Sequence, residues 1–151
     1  MEMPKPTEHH QRLEALAGRW QGTETMYPSQ WDPEGGTATG HNDNRLALND
    51  FVLITDYRQE RDGVTTFEGH GIMTYDPKKS VYVLHWFDSI GSPPEVFEGT
   101  FDGDVLTIGH GMHARFTYDL SQEGVLGSRM DMSPDGDEWA TVFECDYERS
   151  A

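Results

Sequence analysis

The chain has 151 residues and a mass of 17.1 kDa, a length that predicts one domain able to bury roughly 70% of its unfolded surface. Lys and Arg number 11 against 27 Asp and Glu, a formal charge of −16 with a pI near 4.5. That field repels phosphate backbones and anionic lipid, so no nucleic acid and no membrane are expected as partners. Aromatic residues reach 11% and argue for a packed core, while the single cysteine, Cys145, excludes an internal disulfide framework and a Cys-based zinc cluster.

The first residues, Met1 to Pro6, lack the basic-then-apolar order of a secretory signal. No apolar run nears the roughly 20 residues that span a bilayer. A cytoplasmic setting is the expectation, and a lone thiol suits it.

A helix is predicted over about 8–17. Thr7 is its N-cap, Leu13, Leu16 and Ala17 form its apolar stripe, and Gly18 stops it. His9 and His10 read as solvent-facing. The period then changes from helical to alternating. Strands are predicted at Trp20–Tyr27, Thr37–Leu48, Phe51–Glu60, Val64–Tyr75 and Val81–Asp88, with a polar loop from Pro28 to Gly36. The second half continues with Val96–Phe101, Val105–His110, Ala114–Leu120, Val125–Met132 and Glu138–Glu148. Asp62-Gly63 and Asp102-Gly103 are hairpin turns in kind, and no crossover helix separates any two strands.

About ten strands joined by short turns make an antiparallel meander. Left open, the sheet would expose two long edges; closure removes both. The predicted architecture is therefore all-β: an antiparallel up-and-down barrel of about ten strands with one short N-terminal helix. It forms a single domain over 1–151, with strands from about 20 to 148. A barrel slightly larger than eight strands leaves a lumen for one small ligand.

Leu16-Ala17-Gly18-Arg19-Trp20-Gln21-Gly22 sets a Gly-x-Trp between the helix and the first strand. This resembles the opening of lipocalin-type (calycin) barrels, in which the Trp plugs one end. Gly69-His70-Gly71, Tyr75-Asp76 and Trp86-Phe87-Asp88-Ser89 together resemble the bacterial domain-of-unknown-function family 1579. The resemblance runs from about Leu13 to Tyr147 and implies a lipocalin-like barrel, with no established activity to transfer.

Alternation across strands chooses the lumen candidates. With Trp20 inward, Glu24 becomes an inward carboxylate. The strand Val81–Asp88 is apolar on both faces; Trp86 and Asp88 are read as inward, because an Asp at a barrel mouth is cheap to hydrate. His41, His70 and His110 sit beside glycine, which removes bulk and lets a ligand or another backbone approach. With His85 they fall on four strands and could converge in a closed barrel as acid, base or hydrogen-bonding groups. Their competing reading is scattered surface or hydrogen-bonded core histidines. Tyr57 and Tyr118 offer phenols, and an inward Arg115 would suit a carboxylate or carbonyl. Cys145, alternating with Trp139, Thr141, Phe143 and Tyr147, reads as a small buried hydrophobe.

The ligand-binding candidates are thus Trp20, Glu24, Tyr57, His70, His85, Trp86, Asp88, His110 and Arg115, with no catalytic residue assigned and no metal or cofactor expected. The leading functional expectation is a barrel binding a small, mainly apolar molecule in its lumen. The alternatives are a small acid–base enzyme (isomerase, cyclase or lyase) using a lumen histidine and a carboxylate, and a homodimer that holds no ligand and pairs through the apolar strand Val81–Phe87.

Overall fold

The computed structural model describes residues 1–30 and 32–150; Trp31, in the expected Pro28–Gly36 loop, and Ala151 lie outside the described residues. Ten strands follow one another: β1 (Gly18–Met26), β2 (Gly36–Ala47), β3 (Val52–Arg61), β4 (Val64–Asp76), β5 (Val81–Asp88), β6 (Glu95–Asp102), β7 (Val105–His110), β8 (Ala114–Asp119), β9 (Val125–Met132) and β10 (Ala140–Arg149). Each pairs antiparallel with its chain neighbours, and β1 also pairs with β10, so the order closes as β1-β10-β9-β8-β7-β6-β5-β4-β3-β2. The closed antiparallel barrel expected from the turn rhythm is the fold observed. The Asp62-Gly63 turn shows why the hairpins form where they do. Both residues have positive φ, +51° and +77°, the geometry whose twist matches that of the flanking strands and that Asp-Gly adopts cheaply.

The expected single helix divides. α1 (Glu8–Gln11) gives way to a 3-10 helix over Arg12–Leu16. The tighter winding brings residues three apart into line, so Leu13 and Leu16 both point into the barrel and are 0% and 2% exposed. The helix also corrects one expectation: His10 is buried rather than solvent-facing. Its ring meets Phe51 and Tyr75 edge-on, and its Nδ1 accepts the Thr7 N–H at 3.0 Å. Burial holds its pKa below the usual imidazole value. His9 stays half-exposed, stacked on Tyr75.

This helical cap closes one end of the barrel. The Leu16 carbonyl accepts from the Trp20 indole N–H at 3.0 Å and from Asn44 Nδ2 at 2.9 Å. Arg149 lies 4.2 Å over the Trp20 ring and donates to the Ala17 carbonyl. Tyr82 donates to the His9 carbonyl, and Arg12 reaches across to Gly103. Beneath the cap pack Leu53, Met73, Leu84, Leu106 and Leu126, all buried. Trp20 thus fills the closed end as the Gly-x-Trp pattern suggests.

One strand departs from simple alternation. β10 carries a bulge between Thr141 and Phe143. Before it, Thr141 shares a face with Asp131 on the outside, to which it donates at 2.7 Å. After it, Phe143, Cys145 and Tyr147 turn inward, paired with Met130, Ser128 and Leu126. The extra residue also breaks the single face expected for Trp139 through Tyr147.

Trp20→Ala should cost about 3–5 kcal/mol, as a large core side chain is lost and the cap carbonyl loses a donor. Urea denaturation monitored by circular dichroism reads the loss as a lower midpoint.

Candidate functional site

Strand parity, fixed by register to the buried core, decides which side chains reach the lumen. On β1 it turns Trp20, Gly22, Glu24 and Met26 inward. On β3 it turns Leu53, Thr55, Tyr57 and Gln59 inward. Glu24 is 0% exposed. A carboxylate taken this far from water is tolerated only where protein donors replace its hydration. Tyr57 donates from its hydroxyl to Oε1 and Oε2 at 2.9 and 2.7 Å, Gln59 Nε2 donates to Oε1 at 3.0 Å, and the Tyr147 hydroxyl donates to Oε2. Thr66 holds Gln59 in turn, donating to its Oε1 at 3.2 Å. Both carboxylate oxygens are therefore occupied by donors from two strands, β3 and β10.

The network shapes its surroundings. Burial, and then the Glu24 charge, drive the Tyr57 and Tyr147 phenols well above the ordinary tyrosine value. The same two influences push the Cys145 thiol up to about 12, so it sits as an unreactive, protonated side chain. Gly40 makes the room: a Cβ there would lie 2.2 Å from Glu24 Oε2.

The opposite wall is aromatic and thioether. Trp86, Phe116, Tyr118, Met130 and Met132 face inward, pack against the buried core and keep part of their surface accessible. Phe116 meets the buried Phe97 edge-on at 5.1 Å and stacks with Tyr118. Trp86 lies flat on bare backbone, because a Cβ at Gly69 would stand 2.1 Å from its ring and one at Gly71 would stand 3.0 Å away. The Gly69-His70-Gly71 motif is thus a seat for an indole, and the histidine between the two glycines faces the other way.

Six of the nine sequence candidates are inward. Trp20 plugs the closed end, Glu24 and Tyr57 form the network, and Trp86 lines the wall. Asp88 ends β5 at the mouth, where its Oδ1 accepts the Ile90 N–H at 3.2 Å. His110 continues the inward row of Leu106 and Ile108 to the rim, its ring 5.5 Å from Phe97 and its Nδ1 2.8 Å from the Val96 carbonyl.

His70, His85 and Arg115 are corrected: they lie on the outer face, set there by alternation against inward Gly71, Trp86 and Phe116. His70 Nδ1 is 2.6 Å from Asp56 Oδ1, and Arg45 donates to the same carboxyl at 2.8 Å. Arg45 first and His70 second hold Asp56 below the usual carboxylate range. Arg115 covers the Trp139 ring at 4.2 Å and, with Arg129, pairs the buried Asp131. His85 is exposed. The four strand histidines therefore do not converge. His41 too is outside, 3.0 Å from Glu60.

Beside these histidines an outer trough of about 800 Å³ crosses β1 to β5, lined by Arg19, His41, Asp56, Arg58, His70 and Phe87 among others. Its arginines are already matched, Arg19 by Asp43 and Arg58 by Glu60, and its Asp56 is held by Arg45 from beside it. Among the described residues, no group of three His, Cys, Asp or Glu is placed to hold a metal ion.

Sequence reading missed Gln59 and Tyr147 as partners of Glu24. The available signal was a Tyr on the apolar face with Cys145, since a buried phenol requires an acceptor. It left Tyr118 unassigned, and Asn42, Thr55 and Ser128 unremarked.

Gly69→Ala should unseat Trp86, lowering stability by about 1–3 kcal/mol through overpacking and shifting the tryptophan emission maximum. The raised phenols set the pH response. An unfolded chain releases these protons near pH 10, whereas the folded barrel holds Tyr57 and Tyr147 neutral beyond it. Their contribution to stability is complete below about pH 10 and falls as pH rises further. Tyrosinate absorbance should then appear for these two side chains only together with loss of the folded circular dichroism signal.

The sequence profile of a family described as protein of unknown function, DUF1579, matches residues 5–149. Among solved structures, fourteen chains match. One of them, Rv2717c from M. tuberculosis, superposes with a TM-score of 0.70 at 15% identity, covering 96% of this chain and 99% of that chain. At that identity the likeness is one of fold. No curated protein matches.

Proposed function

We propose that this chain, which belongs to the DUF1579 family of proteins of unknown function, is a binding barrel whose lumen takes one small, mainly apolar molecule. The observation that carries the reading is Tyr118. It lies deep enough for burial alone to raise its phenol, yet it keeps accessible surface, and its hydroxyl has no hydrogen-bond partner among the described residues. A deep side chain with both accessible surface and an unused polar atom borders a hollow. Trp86, Phe116 and Met130 supply the apolar contact around it, the mixture expected of small-molecule sites.

The acid–base alternative gains less support. Glu24, the deep carboxylate, is saturated by three donors, and His110, on the lumen side, stands at the rim beside the Val96 carbonyl. Pairing of two copies belongs to the same proposal as a secondary feature, through the outer strip where Phe87 and Val96 are 46% and 37% exposed. No helix among the described residues is long and apolar enough to cross a membrane; cytoplasmic residence is part of the proposal.

Titration with the uncharged fluorophore N-phenyl-1-naphthylamine should show saturable uptake by one site per chain. Trp86→Leu should weaken it about fivefold, the equivalent of the roughly 1 kcal/mol carried by an aromatic contact. Uptake that never saturates, or that is indifferent to both Trp86→Leu and Phe116→Ala, overturns the reading.

A further inference from the structure

Beyond the apolar wall, the polar groups deep in the lumen share one property: those left open carry no charge. Tyr118 on β8 and Ser128 on β9 are direct cross-strand partners. Ser128 is paired on its other side with the buried Cys145, which fixes it inward. Neither hydroxyl has a hydrogen-bond partner among the described residues, and neither is sealed from access. Across the barrel, Asn42 on β2 pairs with the buried Trp20 and Thr55 on β3 with the buried Asn44. These two also face inward, with side chains that are unpartnered and accessible in the same sense. Four neutral donor–acceptor groups are thus offered to the lumen from two facing sectors of the wall.

The charged groups are disposed otherwise. All of the 11 Lys and Arg residues are described, and none offers the lumen a free cation. Arg12 and Arg149 brace the closed end. Arg19, Arg45, Arg58, Arg115 and Arg129 are matched to acids on the outer face. Arg61 continues the inward row of β3 to the mouth and is held by Asp32, and Lys5, Lys78 and Lys79 are exposed. The deep carboxylate, Glu24, has its oxygens filled by Tyr57, Gln59 and Tyr147 and offers none to a guest. Asp88, at the end of the inward row of β5, and Glu95, at the start of β6, add negative charge near the mouth.

We infer that the guest is an uncharged molecule with a hydroxyl or carbonyl group, anchored at depth by Tyr118 and Ser128, and that carboxylates and ammonium compounds of the same length are rejected. This rests on the lumen-binding reading above and refines it. A buried carboxylate would find no free cation to pair with, since Arg61 at the mouth is already held by Asp32, and would feel both Glu24 and the acidic mouth. A buried ammonium would find both Glu24 oxygens already held by donors. Either ion would forfeit its hydration without replacement, a far larger loss than any apolar contact returns. A ketone or alcohol loses little water and gains two hydroxyl partners that now have none.

The test is displacement of N-phenyl-1-naphthylamine from the full chain by ligands matched in chain length: 1-decanol, 2-decanone, decanoate and decylammonium. The two uncharged compounds should displace the probe at concentrations at least tenfold below the two ions. Tyr118→Phe and Ser128→Ala should each raise the 1-decanol concentration needed by about fivefold relative to that variant's own affinity for the probe, as expected for one hydrogen bond. Decanoate or decylammonium displacing as well as 1-decanol overturns the exclusion of charge, while saturable probe uptake keeps the lumen reading intact. A preference for uncharged ligands that neither variant alters overturns the anchor. Absence of saturable probe uptake by the native chain overturns the lumen reading itself, and this inference with it.

Discussion

A carboxylate with no exposed surface organises this barrel. Removing Glu24 from water costs several kcal/mol unless donors replace the lost hydration. Here the donors come from β3 and β10, while Glu24 itself stands on β1. The arrangement therefore joins the two strands that close the sheet, β1 and β10, through a side-chain network as well as through their backbone ladder. It also fixes the orientation of two phenols, each of which has spent its proton on Glu24. The charge cannot be relaxed by a small movement of one partner, because its donors are anchored on two separate strands, neither of them its own.

The outer surface answers a different constraint. With 27 acidic side chains against 11 Lys and Arg, the few cations are placed where they do structural service. Arg115 and Arg129 neutralise Asp131, itself only 4% exposed, and Arg115 also roofs Trp139. Arg45 and His70 share Asp56. An exposed pair such as Arg45–Asp56 contributes little individually, but with most arginines so committed, the deep interior is left with neutral polar groups.

Much of the architecture was legible because hairpin chemistry is local. Asp62-Gly63 announces its turn from two adjacent residues, and closure follows from the cost of two open edges. Glu24 follows by parity once Trp20 is taken as inward, while Trp86, on a strand apolar on both faces, is placed through Asp88 at the mouth. The histidines could not be placed, because glycine beside a strand residue signals close approach without saying on which side. At Gly69 and Gly71 the approaching group is Trp86, from β5, and His70 faces outward as a consequence. His10 misled for a related reason: its burial depends on Phe51 and Tyr75, rings that only the folded barrel brings to the helix. The partners of Glu24 were hidden by sequence distance, since Tyr147 lies 123 residues away.

The bulge in β10 lets one strand serve two surfaces in succession, Thr141 bracing Asp131 outside and Phe143, Cys145 and Tyr147 lining the inside. Its consequence is evolutionary. A lineage that lost that single residue would invert everything on one side of it, leaving either Asp131 without its hydroxyl donor or Glu24 without Tyr147. Length changes at this point should therefore be rare among relatives that keep an acid at either position, and where one occurs a compensating donor should arise on a neighbouring strand.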